Sequence, residues 1–330
     1  MKTLFPFLII PALAFSVFSC PGEDRSWIKE DSVEAFQFST PIFEGVFVAH
    51  DARELGKGFG KHGLRKLTYK GQDLHAPESK VGAKRRHQGI LNLYRIYSAN
   101  ESFGSLRDYE AQVEKLDNGA RLSWQASEER PVAISATWRL TGPAQIDLTI
   151  EATPTRSITN FELLPATYTP LEMVQGVYLG DPEAPQLTIL RPTAESDENE
   201  TYPFYPLGEK ARKAQEETGR LHSDWTWPTF VASETAALPI VFAENESIQV
   251  IQFADPDSTS AVCVTPTPES GDPSDWNKVE QHSALYFSLF GHDVAAGTSY
   301  HSHIRFLVID RPGNTEAVHL KLYREFLSTL

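Results

Sequence analysis

The feature that most constrains the fold is an alternation of apolar and polar residues that is broken at short intervals by turn sequences. Two such runs, 113–116 and 120–124, flank Asp117-Asn118-Gly119. Asn-Gly supplies the positive φ angles that tight hairpin turns require. A period of two residues places one row of side chains on a buried face and the other row towards solvent. The segment therefore predicts an antiparallel β-hairpin.

The same alternation recurs along most of the chain. Residues 62–74 alternate up to a Lys-Gly turn, and residues 134–140 and 146–152 alternate on either side of a Gly-Pro turn. Near the C-terminus, residues 285–289 and 300–308 repeat the pattern around a glycine turn. Consecutive hairpins of this kind form antiparallel sheets with one buried face. We therefore predict an all-β fold, a large antiparallel β-sandwich.

Helical patterns are few. Gly208 to Gly219 contains good helix formers without an apolar face, so it is either a surface helix or a mobile loop. Thr315 to Leu327 has apolar residues at helical spacing, and Asn314 supplies an N-cap. The sequence thus predicts one short C-terminal helix beside the sandwich.

The N-terminal residues 1–19 have the features of a secretory signal. Lys2 provides a positive charge, a largely apolar run follows, and Ser19 is the small residue before the break. The apolar run is shorter than the about 20 residues of a membrane-spanning helix. Cys20 follows directly, as in a bacterial lipobox, and ordinary cleavage that leaves Cys20 as a simple thiol is the alternative. We predict an exported protein of the bacterial cell envelope, periplasmic or on the outer surface, which touches the membrane only through lipid on Cys20.

The rest of the chain is predicted to form one domain. Residues 20–35 are polar and are expected to be an irregular tether, whereas residues 36–330 form a single β-sandwich domain from which residues 191–222 depart as a loop. The net charge of −14 disfavours nucleic acid as a partner. We expect a monomer.

Cysteine content and motifs narrow the chemistry further. Of the two cysteines, Cys20 lies at the signal boundary and Cys263 lies in an apolar run, which suits a buried thiol better than a disulfide. The sequence has no glycine-rich phosphate loop, no Gly-x-Ser-x-Gly elbow and no cysteine-based metal motif. We therefore predict no cofactor and no metal ion, and we do not expect hydride transfer, phosphoryl transfer or triad-type acyl transfer.

Several segments resemble the galactose mutarotase-like supersandwich group, which includes aldose epimerases and the β domains of many polysaccharide lyases and glycoside hydrolases. The similar segments are the 62–74 hairpin, the 138–152 meander and the 297–308 strand. Residues 89–95 and 288–293 also resemble exported bacterial proteins of this kind. The resemblance implies a supersandwich with a concave sheet face that commonly holds sugars.

The chain departs from active aldose epimerases in two respects. Their Asn-His segment has no match here, and neither does their late glutamate. Mutarotase activity is therefore not implied by the resemblance.

The C-terminal strand carries the first group of candidate site residues. His301, His303 and Arg305 alternate with core residues, so they share one face at a spacing of about 7 Å. Two histidines at this spacing can transfer protons beside a carboxylate-binding arginine, can ligate one metal ion, or can simply form a solvated strand face. We predict that the row is catalytic and lines the concave cleft near Arg95, His222 or Asp224.

A second group is predicted to bind substrate. Tryptophan rings stack on the apolar faces of sugars, and a neighbouring acid accepts hydrogen bonds from hydroxyl groups. The alternative for this segment is an ordinary strand entry with one tryptophan buried. The predicted substrate-binding residues are Arg95, His222, Asp224, Trp225 and Trp227.

Taken as a whole, the sequence predicts an exported protein that acts on or binds a carbohydrate. If it is an enzyme, a histidine and a carboxylate would supply acid-base chemistry, as in a sugar epimerase, a polysaccharide lyase or a glycoside hydrolase. The alternative is a non-catalytic envelope module that binds a glycan or a protein on the same face.

Overall fold

The computed structural model describes residues 24–30, 33–49, 62–74, 79–81, 84–86, 89–99, 101–170, 172–190, 202–218, 229–265 and 283–330. Within these ranges lie 23 strands, two α-helices and a short 3-10 helix at Leu106–Asp108. The elements are β1 (Asp24–Glu30), β2 (Val33–Ser39), β3 (Phe43–Val48), β4 (Gly63–Tyr69), β5 (Gln72–Asp73), β6 (Ser79–Val81), β7 (Lys84–Arg86), β8 (Asn92–Tyr97), β9 (Ser102–Ser105), β10 (Gln112–Leu116), β11 (Gly119–Trp124), β12 (Val132–Gly142), β13 (Gln145–Pro154), β14 (Ile158–Thr169), β15 (Val174–Asp181), β16 (Ala184–Leu190), β17 (Tyr202–Pro206), α1 (Glu209–Thr218), β18 (Thr229–Val231), β19 (Ala236–Glu244), β20 (Ile248–Ala254), β21 (Thr259–Thr265), β22 (Ser283–Val294), β23 (Tyr300–Asp310) and α2 (Thr315–Leu327).

Two large sheets share one apolar core. The nine-stranded sheet has the order β10-β11-β12-β13-β23-β20-β19-β15-β16, and the seven-stranded sheet has the order β18-β17-β21-β22-β14-β8-β9. Strands β1 to β5 form a third sheet, and β6 pairs with β7. Neighbouring strands in the two large sheets are antiparallel, apart from the parallel pair β17 and β18. This architecture confirms the predicted all-β fold, a large antiparallel β-sandwich.

The hairpin predicted around Asn118 is present, but its turn differs from the prediction. Leu116 of β10 pairs with Gly119 of β11, so the loop residues are Asp117 and Asn118. Neither Asn118 nor Gly119 has a positive φ angle, and that part of the prediction is wrong. Glycine is needed for another reason, because a Cβ atom at Gly119 would lie 1.9 Å from the carbonyl oxygen of Trp138 on β12.

The core lies between the inner faces of the two large sheets. Ile304, Phe306 and Val308 of β23 contribute to it, as the alternation predicts, and so do Leu93 and Ile96 of β8. Side chains at the alternate positions of both strands lie on the opposite faces of their sheets. Each large sheet therefore has an outer face whose residues are separate from the shared core.

Helix α2 covers part of the outer face of the nine-stranded sheet. Tyr323 and Phe326 pack on Phe253 of β20, with ring centroids 5.7 and 6.0 Å away. The Asn314 side chain accepts a hydrogen bond from the backbone N–H of Ala317 at 3.1 Å. The predicted C-terminal helix and its N-cap are confirmed.

Two segments differ from the domain boundaries predicted from sequence. Residues 24–30, expected in an irregular tether, form β1 and pair with β2 along their full length. Residues 202–206, expected in a loop, form β17 and pair with β21 in the seven-stranded sheet. The polar segment that begins at Gly208 is a helix, and its Gln215 is buried with Nε2 3.4 Å from the carbonyl oxygen of Ser260.

The predicted export features lie outside the described residues, which begin at residue 24. In the part of the chain that is described, no helix has the length and hydropathy needed to span a bilayer. Cys263 is fully buried in β21, as its apolar context predicts.

Candidate functional site

The outer face of the seven-stranded sheet carries five aromatic and basic residues that come together, and we call these residues the Tyr-Arg cluster. Its members are Tyr94, Arg95, Tyr97, Arg107 and Tyr168. The three tyrosines belong to a buried cluster that is separate from the main core. Both arginines are half-buried.

A β-bulge places neighbouring residues of β8 on this face. Leu164 of β14 pairs with Arg95, whereas the next residue, Pro165, pairs with Leu93, so Tyr94 is the extra residue of β8. Proline has no N–H to donate to a ladder, which favours an irregularity at this point. A bulge re-aims side chains. Tyr94 and Arg95 therefore both point away from the core, although they are consecutive.

The ring of Tyr94 contacts both guanidinium groups. Its centroid is 4.8 Å from Cζ of Arg95 and 4.4 Å from Cζ of Arg107. Arg107 also lies 5.6 Å from the ring of Tyr168. Arg95 donates a hydrogen bond from Nη1 to the hydroxyl oxygen of Tyr97 at 3.2 Å. Cation–π attraction and this hydrogen bond hold the five side chains as one unit.

Arg107 reaches the cluster from the 3-10 helix, and Asn92 fixes its orientation. The Ser105 side chain caps this helix by accepting from the backbone N–H of Arg107 at 3.3 Å. Arg107 donates from Nε to Oδ1 of Asn92 at 3.0 Å and makes a second hydrogen bond to it from Nη2. The Asn92 amide in turn donates to the carbonyl oxygens of Gly89 and Ala166, at 2.8 and 2.9 Å. The guanidinium is thus positioned by an asparagine that is itself held by the backbone.

Burial and neighbouring tyrosines shift the pKa values of two members of the cluster, Tyr94 and Arg95. Burial raises the pKa of the Tyr94 hydroxyl above its ordinary value, so that group stays neutral at physiological pH. Burial opposes the charged form of Arg95, but the neighbouring Tyr94 and Tyr97 raise the arginine's pKa overall. The Tyr94 phenol is therefore neutral beside the charged guanidinium of Arg95.

A buried carboxylate lies at the Tyr97 end of the same face. Glu162 of β14 pairs with Tyr97 of β8 and is 2% exposed. Its Oε2 accepts from the Ser288 hydroxyl at 3.0 Å, and the Ser260 hydroxyl lies 2.8 Å from that of Ser288. Asn160 donates to the other carboxylate oxygen at 3.4 Å. The face thus combines hydrogen-bond donors, acceptors and aromatic surface.

The predicted catalytic row lies on the other sheet. Arg305 donates from Nε and Nη2 to the two carboxylate oxygens of Asp147, at 2.8 Å each, and Nε2 of His303 is 3.5 Å from Oδ2. The Phe326 ring of α2 is 5.2 Å from the His303 ring and 5.3 Å from Cζ of Arg305. His301 is exposed. These contacts seat helix α2 on the nine-stranded sheet.

The β23 row of His301, His303 and Arg305 does not lie near Arg95, as the sequence predicted it would. His303 and Arg305 are on the outer face of the nine-stranded sheet, whereas Arg95 is on the outer face of the seven-stranded sheet, with the core between them. The catalytic role assigned to His301, His303 and Arg305 stays a prediction. The other predicted substrate-binding residues lie outside the described part of the chain, as does the predicted lipidation site. They are His222, Asp224, Trp225, Trp227 and Cys20.

The structure adds residues that the sequence did not single out, namely Tyr94, Tyr97, Arg107, Tyr168 and Glu162. The sequence did contain one indication of the bulge, because two consecutive polar or aromatic residues, Tyr94 and Arg95, interrupt the alternation between Leu93 and Ile96. Within the described ranges, no three His, Cys, Asp or Glu side chains are grouped to hold a metal ion.

Comparisons with known proteins give similarity of structure alone. No family model matches the chain, and no curated protein matches it significantly. Solved structures, in contrast, do match the chain. Galactose 1-epimerase from Lactobacillus acidophilus NCFM aligns with a TM-score of 0.48 and 10% identity, covering 88% of this chain and 99% of that one. The group that the sequence resembles therefore appears among the similar solved structures.

Two further structures align over a similar extent. The GalM/aldose epimerase homologue from C. elegans gives a TM-score of 0.47 and 11% identity, over 88% of this chain and all of that one. A putative aldose 1-epimerase from Escherichia coli K12 gives a TM-score of 0.45 and 12% identity, over 88% and 100% of the two chains.

Proposed function

We propose that the protein binds a carbohydrate through the Tyr-Arg cluster. The observation that carries this proposal is the packing of three tyrosines and two arginines on one outer sheet face. Sugar rings have apolar C–H faces that pack on aromatic rings, and their hydroxyls accept hydrogen bonds from guanidinium and phenol groups. The sequence resemblance described above implies the same class of ligand.

The exposures within the cluster indicate how a ligand would approach. The tyrosines are 3–7% exposed, so they form a floor, and Arg95 and Arg107 are the more exposed members of the cluster. Because Tyr97 and Asn92 hold the guanidiniums in place, little side-chain entropy is lost when a ligand binds. A preorganised arginine pair above an aromatic floor suits sugar hydroxyls or substituents.

A glycan array followed by calorimetric titration tests this proposal. The purified protein should bind at least one glycan on the array, and Arg95→Gln should weaken that binding about tenfold or more, as expected for loss of a charged hydrogen-bond donor. Arg121→Gln is the matched control, because Arg121 lies on the nine-stranded sheet with a 41% exposed side chain. The proposal is wrong if no glycan binds, or if Arg95→Gln binds as well as the wild type.

Catalysis is a separate matter from binding. NMR of the bound sugar would show anomeric exchange for an epimerase or an unsaturated product for a lyase. Because the Tyr-Arg cluster and the β23 row are on opposite faces of the sandwich, replacing both His301 and His303 by Ala should leave carbohydrate binding unchanged. Loss of binding in that variant, with the fold retained, would favour a site at the row.

We also propose that the protein is exported and carries lipid on Cys20, as its N-terminal sequence predicts. Mass spectrometry of the mature N-terminus in a bacterial host decides this. A first residue at Cys20 with an added diacylglyceryl group supports the proposal. An unmodified peptide that begins downstream of Cys20 contradicts it.

A further inference from the structure

We infer that the protein forms a symmetric dimer in which strand β16 of one copy pairs antiparallel with β16 of a second copy. The interaction surface is the outer edge of the nine-stranded sheet, and its partner is another molecule of the same chain. The inference is independent of the proposed carbohydrate binding, because the Tyr-Arg cluster lies on the other large sheet. It differs from the monomer expected from the sequence.

The first step is a comparison of the strands at the edges of the two large sheets. Three of the four edge strands are shorter than β16, since β18 has three residues, β9 has four and β10 has five. Strand β10 also contains Glu114 and Lys115, and Lys115 forms an ion pair with Glu34 of β2 at 2.5 Å. Short strands and charged side chains prevent a sheet edge from pairing with another chain. These three edges are therefore protected.

Strand β16 lacks both kinds of protection. It has seven residues, Ala184–Leu190, and none of them is charged. It pairs with β15 along its full length without a register shift, and no other described segment pairs with it. The Ile189 side chain on this strand is 37% exposed. A long, uncharged edge with an exposed aliphatic side chain is a site at which a further strand can add to the sheet.

The next step is the choice of a second copy as the partner. Pro185 has no N–H to donate, so the pairing is expected to involve residues 186–190. In a two-fold arrangement centred on Thr188, this residue pairs with its own counterpart, and Leu187 pairs with Ile189 of the second copy. Because side chains alternate, Leu187 and Ile189 share one sheet face and Thr188 lies on the other. Aliphatic pairs and Thr–Thr pairs both stabilise neighbouring strands, so the strand is complementary to itself.

The charge of the chain favours this strand over other surfaces for self-association. Each copy has a net charge of −14, so most surfaces of two copies repel each other. An uncharged strand brings no like charges into contact. Five residues from each copy bury less than the about 1,200 Å² of a standard interface, so we expect a weak dimer that forms at micromolar concentrations. Salt should strengthen the dimer, because it screens the repulsion between two acidic chains.

Sedimentation equilibrium of the purified protein over a range of concentrations tests the inference. We expect a monomer–dimer equilibrium that shifts towards the dimer at high salt. Ile189→Lys should weaken dimerisation at least about tenfold, because it places a charge opposite an apolar side chain of the second copy. Val113→Lys is the matched control, since Val113 is 36% exposed on β10, at the opposite edge of the same sheet. Thermal melting checks that both variants are folded.

Disulfide cross-linking tests the register of the pairing. Thr188→Cys would place the two introduced thiols directly opposite each other, at a Cα separation of about 4.5–5.5 Å that a disulfide can span. Gln186→Cys is the control, because residues 186 of the two copies would be about 13 Å apart along the strands. The wild type, which contains Cys20 and Cys263, gives the background of cross-linking. We expect a covalent dimer of Thr188→Cys alone.

The possible outcomes decide the inference. A dimer that is weakened by Ile189→Lys but not by Val113→Lys, together with the Thr188→Cys cross-link, supports it. A protein that stays monomeric at every concentration overturns it, and so does a dimer that Ile189→Lys leaves unchanged. If Ile189→Lys does not fold, the cross-link decides, and equal cross-linking of Thr188→Cys and Gln186→Cys overturns the inference. Carbohydrate binding is measured separately, so its success or failure leaves this result unaffected.

Discussion

Replacing His319 by Gln should remove a pH-dependent part of the protein's stability. His319 of α2 is fully buried, and burial lowers the pKa of its imidazole from 6.5 to about 4. Its Nε2 lies 3.0 Å from Oε1 of Gln249, and its Nδ1 lies 3.1 Å from the Tyr178 hydroxyl. Because Gln249 directs its amide N–H groups at Glu244 and Thr315, its oxygen accepts from Nε2–H. The network therefore fits the neutral imidazole.

The sign and size of the effect follow from the lowered pKa. Above pH 6.5 the imidazole is neutral in both the folded and the unfolded chain, so the free energy of unfolding is unaffected. As the pH falls towards 4, the unfolded chain binds the proton more readily, and folding becomes less favourable. Each pKa unit is worth about 1.4 kcal/mol, so the full loss is about 3 kcal/mol. About 2 kcal/mol of it should be present at pH 5.

Urea unfolding at pH 7.5 and pH 5 measures this loss. The wild type should lose about 2 kcal/mol more than His319→Gln between the two pH values. Using the difference between the two proteins cancels the titration of the many other acidic and histidine groups. If both proteins lose the same free energy, the imidazole is not held neutral and the network described here is wrong.

Two further predictions concern the same outer face. Asp147→Asn should cost about 2–4 kcal/mol at pH 7, because it leaves Arg305 without its carboxylate. Burial opposes the charge on Asp147, but Arg305 and His303 lower its pKa overall, so this cost should disappear as the pH falls through 4 and below. The control is Glu151→Gln, on the same strand with a 40% exposed side chain, which should change the free energy of unfolding little. Gly176→Ala should cost about 1–3 kcal/mol, since its Cβ would lie 2.3 Å from the Phe242 ring. Chemical denaturation measures the free energy of unfolding of all three variants. If Asp147→Asn or Gly176→Ala is as stable as the wild type, the contacts described for that residue are wrong.

The fold was largely predictable because its signals are local. Alternation along β12, β13 and β23 indicated which side chains are buried, and Asn314 marked the start of α2. Strand β1 was missed because Trp27 and Ile28 are adjacent, so its sequence does not alternate, and only its pairing with β2 shows that it is a strand. The partner with which a strand pairs cannot be read from the sequence of that strand alone.

The candidate site was less predictable because two of its determinants are not local. The bulge at Tyr94 depends on Pro165 of a different strand, and Arg107 comes from a 3-10 helix that follows β9. For the β23 row, alternation correctly separated His303 and Arg305 from the core. It did not show which outer face they occupy, because that depends on strand order and on the docking of α2.

A crystal structure of the protein with the glycan that it binds most tightly tests the central claim most directly. The account predicts that the sugar lies on the outer face of the seven-stranded sheet, in contact with the Tyr-Arg cluster and within hydrogen-bond distance of Arg95. Electron density for the sugar at the β23 row, or anywhere away from the Tyr-Arg cluster, would contradict it.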